Sequence, residues 1–103
     1  MTKAEAKDKG EELGRQLAES IFTSVTPFSR LPGVLEEYRH PKRWERRWAV
    51  EITHRPDLSR PGAEPLPKNL LAAMKLGFVN GGVAGIKEYI KELKNDGLLK
   101  EAP

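Results

Sequence analysis

Apolar residues recur every four positions in the first quarter of the chain. The stripe consists of Leu13, Leu17, Ile21 and Val25. This spacing predicts an amphipathic helix over about residues 3–24. We expect it to end before Thr26-Pro27, because proline disfavours helical dihedrals in the preceding residue. Gly10, Gly14 and Ala18 form a row of small residues beside the stripe. Since glycine costs about 1 kcal/mol per helical site relative to alanine, we expect residues 1–12 to fray unless a partner covers them.

The middle of the chain is rich in proline. Seven of the eight prolines lie between Pro27 and Pro67, so long helices are predicted only at the two ends. A short helix is predicted over residues 33–40. Residues 41–54 fit both a helix with Trp44 and Trp48 on one face and an alternating strand. We expect a helical start that gives way to a short extended stretch near residues 48–52. The Pro-rich segment 55–67 is predicted to be a loop without a regular element.

The least polar part of the chain follows this loop. Residues 70–79 predict a core helix, which Asn80-Gly81-Gly82 is expected to break. A last helix is predicted to run to about Asn95 and to end at Asp96-Gly97, since glycine tolerates a left-handed cap. The pattern as a whole predicts a mainly α, small single-domain fold of four to five helices over residues 1–103. One short strand near residues 48–52 stays open.

Charge is distributed unevenly along the chain. The formal net charge is +3, and residues 30–60 alone carry +3, with seven of the eight arginines and both histidines. The absence of cysteine excludes a disulfide framework and thiolate metal sites. No apolar run approaches the 18 to 20 residues of a membrane span, and the N-terminus is charged. We therefore expect a cytoplasmic protein without a membrane partner. The scarcity of Gln, Asn and Met resembles that of thermophile proteins.

The strongest local pattern lies in residues 69–99. Ala73 and Gly77 are small residues four positions apart. The apolar residues that flank or follow them are Leu76, Phe78, Val83 and Ile86. On these residues the segment resembles the helix-turn-helix DNA-binding domains, and more loosely their winged-helix variant. The resemblance implies a helix hairpin whose second helix enters the major groove, followed by a first wing strand at Leu98-Leu99. An ordinary helix hairpin is the alternative, because residues 81–85 offer no side-chain donors.

A second pattern, HPKRWERRW, occupies residues 40–48. Arginine has planar donors that match phosphate or carboxylate, and tryptophan has a stacking face, so their combination predicts a nucleic-acid surface. The alternatives are that the tryptophans are core anchors, or that the cations meet an acidic protein. Arg39 and the cations could equally pair with Glu36, Glu37 and the acidic positions of the first helix. The predicted nucleic-acid-binding residues are Lys42, Arg43, Trp44, Arg46 and Arg47, with Lys87, Lys91 and Lys94 as a second row.

Both histidines follow a glutamate by three positions, in the pairs Glu37/His40 and Glu51/His54. On helices this spacing occurs in di-iron carboxylate bundles. Those bundles need further glutamates on separate long helices, whereas Pro41 stands between these two pairs. We therefore assign no metal ligand, no cofactor and no catalytic residue.

These observations favour a non-catalytic basic binding protein with nucleic acid as its ligand. The alternative is a protein-binding accessory subunit, an inhibitor or a helical homo-oligomer, which predicts a protein partner or a homodimer. A metal-binding helical protein is the third hypothesis.

Overall fold

The computed structural model describes residues 1–24, 28–60, 62 and 64–97, except for the side chain of Phe28. These residues form one turn of 3-10 helix, Phe28–Arg30, and five α-helices. The α-helices are α1 (Lys3–Ser24), α2 (Leu31–Tyr38), α3 (Pro41–His54), α4 (Pro56–Ser59) and α5 (Lys68–Asn95). The predicted mainly α single-domain fold of four to five helices is confirmed.

The long helices α1 and α5 pack against each other in parallel. Gly77 packs against the main chain of Lys7, and Gly81 packs against the main chain of Glu11. Nearer the C-terminal ends of both helices, Phe22 stacks on Tyr89 with 4.3 Å between ring centroids. Residue numbers in the contacting pairs therefore increase in the same direction along both helices, as they do in a parallel pair. At 1.5 Å per residue α5 is about 42 Å long, which accounts for most of the 51 Å long dimension of the protein.

The interface between α1 and α5 is built from small residues. The buried residues of α1 are Ala6, Gly10, Gly14 and Ala18, whereas the predicted stripe of Leu13, Leu17 and Ile21 is only partly buried beside them. Val25 lies outside the described residues. Small side chains at every fourth position let two helix backbones approach closely. The row of small residues is therefore the packing face of α1, and within residues 1–12 α5 covers Ala6 and Gly10.

The first turn of α1 is held by a capping box. The Thr2 hydroxyl accepts a hydrogen bond from the Glu5 amide, and the Glu5 carboxylate accepts one from the Thr2 amide, each at 3.1 Å. These hydrogen bonds lower the pKa of Glu5. The reciprocal pair satisfies donors that a helix N-terminus otherwise leaves without partners.

The helix-turn-helix prediction for residues 69–99 is wrong, because α5 runs unbroken from Lys68 to Asn95. Its glycines serve close packing and not a turn: a Cβ at Gly77 or Gly81 would collide with the main chain of α1, and one at Gly82 with the Trp44 ring. Gly97 is the one described residue with a positive φ, at 73°, which confirms the predicted end of the last helix. Leu98-Leu99, the predicted wing strand, lies outside the described residues.

The expected extended stretch near residues 48–52 is also wrong, since Pro41–His54 is one helix. Trp44 and Trp48 are buried at helical spacing, so packing against α5 determines the structure where the local pattern was ambiguous. The segment 55–67, predicted as a loop without a regular element, contains the single turn α4. Pro61 and Ala63 of that segment lie outside the described residues.

One described helix is long and apolar enough to cross a membrane by length and composition. An 18-residue window of α5 has a mean hydropathy of 1.2, and 44% of that window is buried inside the protein. The sequence analysis expected no such segment. The core helix of a soluble protein has the same character, and α5 packs against α1, α2 and α3.

Candidate nucleic-acid interface

A groove of about 710 Å³ lies at the corner between α2 and α3. It is lined by Glu37, His40, Pro41, Lys42, Arg43, Glu45 and Arg46. The corner forms because Tyr38 ends α2 and Pro41 occupies the first turn of α3, while His40 between them is extended, with φ −90° and ψ 128°. We call this feature the corner groove. Three of the eight predicted site residues line it.

The N-terminus of α3 adds positive potential to the corner groove. His40 stands at the N-cap and makes no side-chain hydrogen bond to the first turn. The N-terminal end of a helix carries a partial positive charge, which an acidic or hydroxyl cap would offset. The first turn of α3 contains no acidic residue. The helix dipole and the Lys42 side chain therefore both make the electrostatic potential at the corner groove more positive.

Arg43 is engaged within the protein. Its Nε donates to Glu37 Oε1 at 2.6 Å, and a terminal nitrogen donates to the Tyr38 hydroxyl at 3.0 Å. Its guanidinium also lies over the Tyr38 ring, 4.6 Å from the centroid. Arg43 therefore fastens the start of α3 to the end of α2, and most of its charge is neutralised there.

Arg47 is engaged in the same way one turn further on. Its Nε donates to Glu51 Oε1 at 3.2 Å, and only 33% of the Arg47 side chain and 20% of the Glu51 side chain are exposed. Partial burial strengthens such a pair relative to a fully exposed one. Arg47 lies outside the corner groove and is a weak candidate for phosphate contact.

Lys42 and Arg46 differ from these two arginines. Both are exposed, and neither is in an ion pair with any described residue. They are four positions apart on one helix, which places them on the same face. Glu37 of the groove is occupied by Arg43, so Glu45 is the remaining acidic side chain beside them. The corner groove thus presents two cations that are in no ion pair with a described residue, beside the carboxylate of Glu45.

Trp44, predicted as a stacking residue, lies in the core. Its side chain is 0% exposed, its Nε1 donates to the Tyr38 carbonyl, and its ring meets Phe78 edge-on at 5.5 Å. Trp48 is 7% exposed and packs against the same Phe78 at 5.3 Å. The tryptophans are therefore anchors that hold α3 on α5, and Trp44 is not accessible to a base.

The predicted second row is exposed on α5. Lys87, Lys91 and Lys94 all face solvent near the C-terminal end of the helix, and none of them is in an ion pair with a described residue. None of the three lines the corner groove. The corner groove therefore brings Lys42 together with Arg46.

The two Glu/His pairs do not form a metal centre. Glu37 and Glu51 accept hydrogen bonds from Arg43 and Arg47, and His40 lies 4.0 Å from Glu36 instead. Within the ranges that the structure describes, no three His, Asp or Glu side chains converge. The metal hypothesis has no geometric support.

A second, smaller groove of about 260 Å³ lies between α3 and α5. It is lined by Glu45, Ala72, Lys75, Leu76 and Val79. Leu76 is 53% exposed, which is unusual for a leucine on the central helix. We call this feature the Leu76 patch. The Leu76 patch was not predicted from the sequence, because the pattern placed Leu76 inside a helix hairpin.

Pairing of the basic cluster with Glu37 was expected and is confirmed by Arg43, whereas the parts played by Tyr38 and Glu51 were not expected. Tyr38, Glu37 and Glu51 decide that Arg43 and Arg47 are neutralised, whereas Lys42 and Arg46 are not. One signal was present in the sequence: Arg47 and Glu51 are four positions apart, the spacing of a helical ion pair. Comparison with protein-family models, with curated proteins and with solved structures found no match to this chain.

Proposed function

We propose that this protein is a non-catalytic nucleic-acid-binding protein that holds the phosphate backbone at the corner groove. One observation carries the proposal: Lys42 and Arg46 are exposed, adjacent on one helix face and without an ion-pair partner among the described residues. The neighbouring arginines are neutralised by glutamates. The corner groove carries a formal charge of +1, from Lys42, Arg43 and Arg46 against Glu37 and Glu45.

Phosphate binding suits the chemistry of this groove. Lysine and arginine side chains that neutralise phosphates release condensed counterions, which supplies most of the free energy of non-specific nucleic-acid binding. The N-terminus of α3 adds the Lys42 backbone N–H and a positive dipole end of the kind that holds phosphate elsewhere. Lys87, Lys91 and Lys94 would extend the contact along the strand.

Fluorescence anisotropy with a labelled duplex at low salt tests the proposal. The variant K42Q/R46Q removes both cations of the corner groove. The matched control K3Q/K9Q removes the same charge from exposed positions on α1. We expect the wild type and the control to bind, and K42Q/R46Q to bind at least tenfold more weakly. Absence of binding by the wild type, or equal losses in both variants, would contradict the proposal.

Self-association through the Leu76 patch is a second candidate function. The patch combines an exposed apolar side chain with one acidic residue, Glu45, and one basic residue, Lys75, and neither is in an ion pair with a described residue. In a dimer with two-fold symmetry, each copy presents the same patch to the other. Glu45 of one copy would then meet Lys75 of the second, around the two Leu76 side chains.

A further inference from the structure

Proteins that hold single-stranded nucleic acid combine a basic groove with exposed aromatic rings on which bases stack. In this protein the aromatic side chains nearest the corner groove are not exposed. Trp44, Trp48 and Tyr38 are 0%, 7% and 7% exposed, and Phe78 between the tryptophans is 2% exposed. All four are packed against one another through edge or tilted contacts. No ring in this group has a face that a base could reach.

The remaining aromatic residues whose side chains the structure describes are Phe22 and Tyr89. Each is only partly buried, but they stack on each other with an interplanar angle of 6°, so each covers one face of the other. Burial raises the pKa of the Tyr89 phenol, and the negative charges of Glu19, Glu92 and Glu88 add to that effect. Acidic side chains on both α1 and α5 therefore surround this pair. This pair does not line the corner groove.

Among the side chains that the structure describes, the corner groove thus has charge but no stacking platform. We infer that its ligand is a nucleic-acid duplex held by its phosphates, and not a single strand whose bases are unstacked. This inference rests on the proposed function. Without stacking, the binding free energy comes from phosphate neutralisation, which favours the duplex because it carries one charge per about 1.7 Å of its axis, twice the density of one strand.

The test compares a labelled duplex with one of its separated strands of equal length, by anisotropy over a series of salt concentrations. We expect the duplex to bind several-fold more tightly at each salt concentration. Each phosphate contact is expected to contribute about 0.9 to the salt slope for the duplex and about 0.7 for the strand. Because Trp44 and Trp48 are buried, the intrinsic tryptophan emission should not change when either ligand binds.

A variant of the one partly exposed aromatic pair provides a separate check. Y89L removes the partly buried ring without altering the corner groove, and we expect it to bind both ligands as the wild type does. Three results would each overturn the inference and leave the proposed function in place. They are binding of the single strand that equals or exceeds that of the duplex, quenching of tryptophan emission, and weaker binding of the single strand by Y89L. Absence of binding to both ligands would overturn the two together.

Discussion

Gly77 of α5 rests directly on the main chain of Lys7 of α1, so closely that a Cβ at position 77 would collide with the Lys7 carbonyl. The same relationship recurs one turn later between Gly81 and Glu11, and from the other side between Gly10 and Met74. These glycines each cost about 1 kcal/mol in helix propensity. Close contact between the two backbones, with the dispersion attraction that it brings, offsets that cost.

The first prediction concerns these glycines. We expect G77A to lower the free energy of unfolding by about 2 kcal/mol or more, because overpacking an interface without space typically costs 1 to 3 kcal/mol. G33A is the matched control. Gly33 lies within α2, and a Cβ there meets nothing within 4 Å, so alanine should stabilise the helix by about 0.5 to 1 kcal/mol. Urea denaturation measures both changes, and equal effects would contradict the close approach of the α1 and α5 backbones at Gly77.

The glycines also show where sequence reasoning reaches its limit. Asn80-Gly81-Gly82 has the composition of a turn, and no neighbouring residue distinguishes a glycine needed for a turn from one needed for close approach. The deciding atoms, the Glu11 backbone and the Trp44 ring, belong to α1 and α3. By contrast, the bounds of α1 followed from apolar spacing and from Thr26-Pro27, which are local signals.

The second prediction separates Arg43 from Lys42. Arg43 bonds Glu37 and Tyr38 within the protein, so R43Q should lower the free energy of unfolding by about 1 kcal/mol, in the range for a partly exposed charged hydrogen bond. It should change nucleic-acid affinity little. K42Q should weaken nucleic-acid binding and change the free energy of unfolding little, because Lys42 has no ion-pair partner among the described residues. Urea denaturation and anisotropy on both variants measure these effects, and the reverse pattern would show that Arg43 is the binding residue.

The third prediction concerns pH. Burial raises the pKa of Tyr89 above its ordinary value of 10.0, so the native protein holds the phenol proton more tightly than the unfolded chain does. The contribution of the protonated Tyr89 phenol to the free energy of unfolding is fully present below pH 10 and is lost as the pH rises through the native pKa. Y89F removes this titration. We expect urea denaturation to show a smaller alkaline loss of stability for Y89F than for the wild type. An identical pH dependence would contradict the buried setting of Tyr89.

The fourth prediction tests the Leu76 patch. If two copies meet there, L76E should convert a dimer to a monomer in light scattering. V50E is the matched control, because Val50 is also about half exposed, at 48%, but does not line the patch.

Charge-reversal substitutions distinguish a specific contact in the dimer from non-specific association. E45K and K75E should each weaken the dimer through like-charge repulsion, and the double variant E45K/K75E should restore it. A monomeric wild type, or a dimer that V50E disrupts as strongly as L76E does, would remove this second function.

The candidate site was predictable in part. The Arg- and Trp-rich segment and its excess charge followed from the sequence, and helical spacing correctly grouped Trp44 with Trp48 on one face. Which cations stay available depends on Glu37, Tyr38 and Glu51, whose contacts with Arg43 and Arg47 arise from the turn at His40 and the length of α3. The Leu76 patch depends on how α3 crosses α5, which no local pattern specifies.

The salt dependence of duplex binding tests the central claim most directly. The logarithm of the association constant should fall linearly with the logarithm of the salt concentration, with about 0.9 of slope for each phosphate contact. Removing Lys42 and Arg46 together should therefore reduce the slope by about 2, while K3Q/K9Q should leave it unchanged. If K42Q/R46Q keeps the wild-type slope, or the control loses as much slope, the corner groove is not where the phosphates bind.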